Sequence, residues 1–396
     1  MEKPKSVTSM QLIMSIGTSI IGVGILSFPR ITVEYVKTGA PFSAAAAVLL
    51  MMGGGFIVSY LGIQYRNKTI FEYADGLIGK WMSSLFLLLI GAYFLELTAL
   101  ASREFGEVVV TAVLQRTPIT VTVFIMILLA TISSRVDVAV FTRILTFYMP
   151  FVYFPAMVIV LLSLKSAKVS NLMPLVSLFH GQSFNSIYLS IMVVAALYTN
   201  FMIVGLIVPF MYRPHTAIRS TLVGIGIAGT LYIILMYATL SVFGVEEMRN
   251  LLWPTLELAK TAAVTTFFIE RLDPVFIAVW VTAVFSAIFA AYYLSIQAFS
   301  HLFRLKTHRG LSILALPVIM ALAIQPVNIV HLYRVVKQVG IIGVYLTLGY
   351  SLLLFVVHLI KAARGRRRHE HKKMAGPWSF CLCFSATDRL LGSVGD

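Results

Sequence analysis

Ile21-Gly22-Val23-Gly24-Ile25-Leu26-Ser27-Phe28-Pro29 lies inside the first long apolar run of the chain, 11–36. A helix surrounded by lipid must satisfy its backbone N–H and C=O groups internally, so a break is costly, and two glycines two apart followed by a proline favour an unwound segment in mid-membrane. Interruptions at membrane depth survive where the freed backbone lines a cavity. There the loose carbonyls and the positive end of the following half-helix meet a zwitterionic or anionic solute. Glycines also let membrane helices approach closely, and packing is the other reading of the same residues. A second apolar run repeats the theme. Over 186–209, Tyr198-Thr199-Asn200 sets three polar groups mid-run, with Gly205 behind them and Pro209 near the end.

Working outward, the 396 residues are 59% apolar and 12% charged, against about half and about a quarter in a soluble globular domain. Such a chain cannot cover a water-facing surface. Runs long enough to cross a bilayer, about 20 residues each, fall near 11–36, 41–64, 81–113, 119–134, 142–164, 186–209, 219–243, 272–298, 309–329 and 339–362. The expected architecture is an all-α integral membrane protein of ten transmembrane helices. Residues 1–10 form a cytoplasmic N-terminus, 11–362 one membrane domain with halves near 11–164 and 186–362, and 363–396 a basic cytoplasmic tail. The interrupted helix opens each half, which is the layout of inverted-repeat transporters with a midplane site. Asn67–Trp81 and Leu251–Phe268 mix charge with apolar residues and read as interfacial helices or connectors.

The net charge of +15 would suit nucleic acid if it were spread over a surface. Instead seven Lys or Arg crowd into 361–373 directly after the last apolar run, opposed by Glu370 alone. That arrangement marks a cytoplasmic juxtamembrane segment against anionic lipid, puts both termini inside, and excludes a nucleic-acid role.

The third run carries the costliest side chains. Glu96, Arg103 and Glu107 fall on one helical stripe, with Glu104 beside them. Arg103 and Glu107, four apart, can pair. Ionisable groups at membrane depth usually face a cavity or a partner, so Glu96 reads as functional or buried-structural. The Arg103–Glu107 pair reads as functional or as an ordinary ion pair near the outer interface. Asp273-Pro274 fits a helix start. His301, His308, His369 and His371 sit in basic segments without carboxylates or cysteines to match, and no metal site is expected. Cys381 and Cys383 are the only cysteines. No Walker A loop, GxSxG, HExxH or Cys–His arrangement occurs, so no catalytic residues, no cofactor and no enzyme are expected.

Several blocks together carry a resemblance. Ile16-Gly17-Thr18 through Gly22-Val23-Gly24-Ile25-Leu26-Ser27-Phe28-Pro29-Arg30 resembles the opening of the B subunits of bacterial spore germinant receptors. That family lies within the amino acid–polyamine–organocation superfamily. Ser102-Arg103-Glu104-Phe105-Gly106-Glu107, Leu114-Gln115-Arg116-Thr117-Pro118-Ile119, Leu252-Trp253-Pro254-Thr255 and Phe268-Ile269-Glu270-Arg271 with Trp280 are similar to the same family, in the same order, over roughly 8–360. The resemblance implies a LeuT-like 5+5 inverted-repeat fold in the inner spore membrane and partnership with A and C subunits. It implies that a small germinant, commonly an amino acid, is sensed in a midplane pocket. By the same resemblance Gly22, Val23, Gly24 and Ile25 offer backbone to the ligand. Tyr198, Thr199 and Asn200 face them, with Glu96 and Thr98 nearby. Glu270–Arg271 is implied to be architectural, at a subunit interface. The tail from Gly376 matches nothing in the family. A secondary amino acid transporter coupled to a proton or sodium is the competing function on the same fold.

Overall fold

A computed structural model describes residues 6–173, 183–263 and 273–374 of the protein. Helix α1 (Ser9–Ile20) opens with a capping box. Gln11 N–H donates to the Thr8 hydroxyl and Thr8 N–H to the Gln11 side chain, which satisfies two otherwise orphaned donors. The chain then leaves the helix through Gly22, makes a 3-10 turn at Val23–Ile25, and enters α2 (Phe28–Val36) with Pro29 in the first turn. Proline is tolerated there because that N–H has no intrahelical partner.

The interruption therefore lies on the quoted motif, but its glycines serve a different purpose from backbone freedom. Gly22 is extended, at φ −129° and ψ −159°, and the only left-handed glycines among the described residues are Gly79 and Gly244. Gly22 and Gly24 are required by proximity. A Cβ on Gly22 would stand 2.8 Å from the Ala287 Cβ, and one on Gly24 would overlap the Leu197 Cδ2 methyl.

After a turn at Lys37 (φ 51°) comes α3 (Ala40–Gln64). The short α4 (Ile70–Ile78) follows, capped by Thr69 and Glu72. Its apolar face (Ile70, Phe71, Tyr73, Ala74, Leu77) is buried against protein, where an interfacial helix would lay it on lipid. Next is α5 (Lys80–Ala112). At 1.5 Å per residue it reaches about 50 Å, beyond a hydrocarbon core of about 30 Å, so its ends project. Then come α6 (Ile119–Ser133), α7 (Val138–Ser163) and α8 (Phe184–Ala196). Beyond α8 the backbone tightens into a 3-10 segment, Thr199–Ile203, before the single turn α9 (Val204–Ile207), and the pair bends by 46°. The remaining helices are α10 (Ala217–Asn250), divided at Gly244, then α11 (Pro254–Ala263), α12 (Asp273–Leu302), α13 (Arg309–Ile324) and α14 (Ile329–Met374). Helix α12 starts at the Asp-Pro pair, and α14 stays helical through the basic residues after Lys361.

By length and composition six helical stretches among the described residues can cross a bilayer, and a seventh if the bent pair counts as one; Ile119–Ser133 and Arg309–Ile324 are shorter and apolar. Helices α1, α3 and α10 cross closely because small residues meet there. Gly55 faces Ile225 and Thr221, Gly229 faces Val48, and a Cβ on Gly224 would lie 2.9 Å from the Ile13 carbonyl. Helix α5 runs along α12, fixed by Ser295 donating to the Gly91 carbonyl at 2.8 Å, and α6 and α13 pack outside them. Residue Val7 pairs with Met211, and Ser9 and Thr216 share a 2.6 Å hydroxyl contact, which ties the start of α1 to the end of the second interruption.

His308 lies just before α13, and its Nε2–H donates to the Val136 carbonyl at 3.1 Å, pinning the corner between α6 and α7. Burial pushes its pKa below the ordinary 6.5, so the folded protein keeps the ring neutral where the unfolded chain protonates it. This contribution to stability is complete above 6.5 and is lost as pH falls through the depressed value. Thermal unfolding in nanodiscs between roughly pH 7.5 and 5.5 should fall with acidification, and His308→Gln should flatten that fall.

Candidate functional site

The two interruptions face each other across a cavity of about 90 Å³. One wall is Ile20 with Gly22, Val23 and Gly24; the facing wall is Ala196, Leu197, Thr199 and Asn200. Helix α5 closes a third side with Leu97, Leu100, Ala101 and Glu104, and Tyr232, Ala287, Ala291, Val336 and Val339 complete it. At roughly 10–15 Å³ per water-sized position, this volume accommodates a solute of about six to nine heavy atoms.

The unwound backbone is mostly satisfied by side chains. Asn200 Nδ2 donates to the Ser19 carbonyl at 2.7 Å and the Ala287 carbonyl at 3.2 Å. The Tyr232 hydroxyl donates to the Ile20 carbonyl at 3.1 Å and accepts from Gly22 N–H. Thr255 donates to the Ile25 carbonyl at 2.8 Å. What is left over belongs to residues that line the cavity. The N–H groups of Val23 and Gly24 have no acceptor among the described residues, and buried Asn200 Oδ1 has no donor. Glu104, 2% exposed, receives hydrogen bonds from the hydroxyls of Ser27 (3.0 Å) and Tyr333 but pairs with no Lys or Arg among the described residues. An ionised carboxylate buried without a cation costs several kcal/mol. The cavity therefore offers two donors at one side and an uncompensated acid at another, a pattern complementary to a small zwitterion with an apolar body.

The expected site residues divide between this wall and its surroundings. Gly22, Val23, Gly24, Thr199 and Asn200 meet in it. Ile25 lines a separate apolar pocket of about 30 Å³ beside Trp280. Tyr198 is buried behind the wall, with its ring 5.5 Å from that of Tyr232. Thr199 is held by a 2.8 Å hydrogen bond from Tyr93 on α5. Glu96 and Thr98 lie outside the wall, for a helical reason. Leu97, Leu100, Ala101 and Glu104 fall at i, i+3, i+4 and i+7, and residues 96 and 98 sit about 100° to either side of that stripe. Thr98 bonds instead to the Phe94 carbonyl at 2.7 Å. Glu104 was not an expected ligand residue; the signal that finds it is an acid on the apolar stripe beginning at Leu97.

Arg103 Nη2 lies 2.9 Å from Glu107 Oε1, on the flank of α5 away from the cavity. Arg103 is 8% exposed. Arg103→Met leaves Glu107 half-buried without its cation, and thermal or denaturant unfolding should show a loss of about 2–3 kcal/mol. The double change with Glu107→Gln should recover most of it. Glu270 and Arg271 lie outside the described residues.

Helices interrupted at two facing points around such a cavity give an all-α membrane protein with a transporter-type fold, and solved structures agree on the fold. The protein resembles MhsT in complex with L-phenylalanine at a TM-score of 0.64 and 12% identity, covering 89% of each chain. A Na+-coupled sialic acid symporter matches at 0.63 and 12%, covering 88% of this chain and 79% of that one. At these identities the likeness is one of fold alone. Residues 6–330 match the spore permease family, described as spore germination protein, and the chain belongs to that family. Among its relatives are spore germination protein YndE of Bacillus subtilis (strain 168), 24% identical over 92% of this chain and 98% of the relative, and spore germination protein A2 of the same organism, 25% identical over 90% and 97%.

Proposed function

We propose that the protein is the B-type subunit of a spore germinant receptor that senses a small amino acid in the midplane cavity. The observation that carries this reading is the set of groups in the cavity wall that have no partner among the described residues. The Val23 and Gly24 amides suit a carboxylate, and Glu104 with Asn200 Oδ1 suits an ammonium. Leu97, Leu100, Leu197, Val336 and Val339 suit an aliphatic side chain. Binding there draws the two interruptions and α5 together, and a ligand shifts the protein between states to the extent that it prefers one of them. Partner A and C subunits read the shift, with Arg103–Glu107 and Glu270–Arg271 serving architecture or a subunit interface.

On this reading ten spans cross the inner spore membrane as 5+5 halves. Helices α1 and α2 together form the first, α8 and α9 the sixth, and the short α6 and α13 the fourth and ninth. Residues 11–362 make the membrane domain, both termini are cytoplasmic, and the tail 363–396 lies against anionic lipid. The test uses spores lacking their own receptors and carrying this chain with its A and C partners, exposed to amino acids, nucleosides and sugars. Radiolabelled uptake by the chain alone in vesicles is measured alongside. A partner-dependent response without concentrative uptake is expected. The fold is shared with a symporter, so concentrative uptake by the chain alone would make it a transporter and end the receptor reading.

A further inference from the structure

A larger cavity, of about 300 Å³, opens at the end of the bundle away from the N-terminus, between α2, the link from α10 to α11, and the first turns of α14. Its wall carries Arg30, Arg334 and Lys337 against a single acid, Glu34. Glu34 is already engaged, with Oε1 3.3 Å from Arg30 Nε. Lys337 rests over the ring of Tyr35 at 4.9 Å, and neither it nor exposed Arg334 meets an acid among the described residues. The floor of this vestibule is shared with the inner cavity. Ser27 and Tyr333 line the vestibule, both hydrogen-bond Glu104 below, and Trp253 Nε1 holds the Tyr333 hydroxyl at 2.8 Å.

We propose that the vestibule is a docking site for the carboxylate of an organic solute, seated on Arg334 and Lys337 above the Ser27–Tyr333 floor. The proposal rests on the midplane reading for the solute's destination, but its own chemistry is independent of it. Unpaired cations in a concave wall between apolar helices focus the field at the mouth and raise the local concentration of anions. A guanidinium adds the planar fork that matches a carboxylate. The vestibule is larger than the inner cavity, so a solute can dock there by its anionic end while its amine remains free for Glu104.

The test titrates the purified full chain, in nanodiscs of phosphatidylcholine, with propionate and with propylammonium by calorimetry. Propionate should bind saturably, propylammonium should not compete with it, and Arg334→Gln with Lys337→Gln together should weaken propionate at least about tenfold. Unchanged propionate affinity in the double variant overturns the proposal. The phosphate of an anionic lipid presents similar chemistry. If phosphatidylglycerol nanodiscs abolish propionate binding by the wild-type chain, the site belongs to a headgroup and the solute reading falls. In spores the double variant should raise the amino acid concentration for half-maximal germination by about tenfold while keeping the maximal rate. Failure of the midplane reading is recognised separately, by a Glu104→Gln variant that germinates normally, and the propionate titration still decides the vestibule in that case.

Discussion

Replacing Glu104 by glutamine should abolish the response to an amino acid at concentrations that saturate the wild-type protein. The side chain is fully buried, its oxygens are positioned by Ser27 and Tyr333, and it lines the cavity without a cationic partner of its own among the described residues. In the proposed complex the ligand ammonium supplies that partner. Removing one member of a desolvated charge pair costs about 2–5 kcal/mol, which is about a 30-fold to several-thousand-fold rise in Kd. Glutamine keeps the size and its carbonyl oxygen can still accept a hydroxyl hydrogen bond, so the folded protein should survive. Its thermal midpoint should stay at or above that of the wild type, because glutamine is neutral and carries no cost of ionisation in the buried site. Two measurements decide the matter: equilibrium binding of the radiolabelled amino acid identified in spores, and thermal unfolding of the same preparation. Glu104→Asp keeps the charge and should retain part of the affinity. A glutamine variant that binds within threefold of wild type would remove Glu104 from the site, and with it the argument for an amine.

The interruptions themselves were legible in the sequence because backbone chemistry announces them. A glycine pair followed by proline, and three polar residues inside an apolar run, conflict with a continuous membrane helix whatever surrounds them. The segments 11–36 and 186–209 accordingly hold the breaks at Ile21–Ser27 and Leu197–Ile203. Which residues of α5 face those breaks was harder to read. Charge alone drew attention to Glu96, Arg103 and Glu107, which do share a stripe, but the stripe turned toward the cavity is set by how α5 rolls on α12. The contacts that fix that roll, Gly91 against Phe299 and the Ser295 bond, involve residues about two hundred positions apart. No local pattern encodes them. The vestibule was illegible for the same reason, since Arg30 and Arg334 come from opposite ends of the chain. The two glycines illustrate the limit best. Their presence was a sound sign of the break, yet the reason for each is a neighbour, Ala287 or Leu197, that only the folded structure reveals.

That difference between neighbours predicts different outcomes for two substitutions that look equivalent in sequence. At Gly24 a new side chain overlaps the end of Leu197, a flexible group that already lines the cavity. Gly24→Val should fold, because its backbone is not left-handed and Leu197 can turn aside, but Leu197 must turn into the space the ligand occupies. Overpacking of this kind typically costs about 1–3 kcal/mol, and here the cost falls on the bound state, so ligand affinity should drop by about tenfold to a hundredfold. At Gly22 the obstacle is the Cβ of Ala287, 2.8 Å away and fixed to the backbone of α12. Gly22→Val has to push α1 and α12 apart, breaking the Asn200 bonds to Ser19 and Ala287, and should reduce the yield of folded protein as well as the response. The measurement that separates mechanism from general damage is a rescue. Leu197→Ala in the Gly24→Val background returns the lost volume and should restore binding to within about threefold of wild type, whereas it should do nothing for Gly22→Val. If Gly24→Val responds at wild-type concentrations, or if Leu197→Ala leaves it unresponsive, the space between Gly24 and Leu197 is not where the ligand sits.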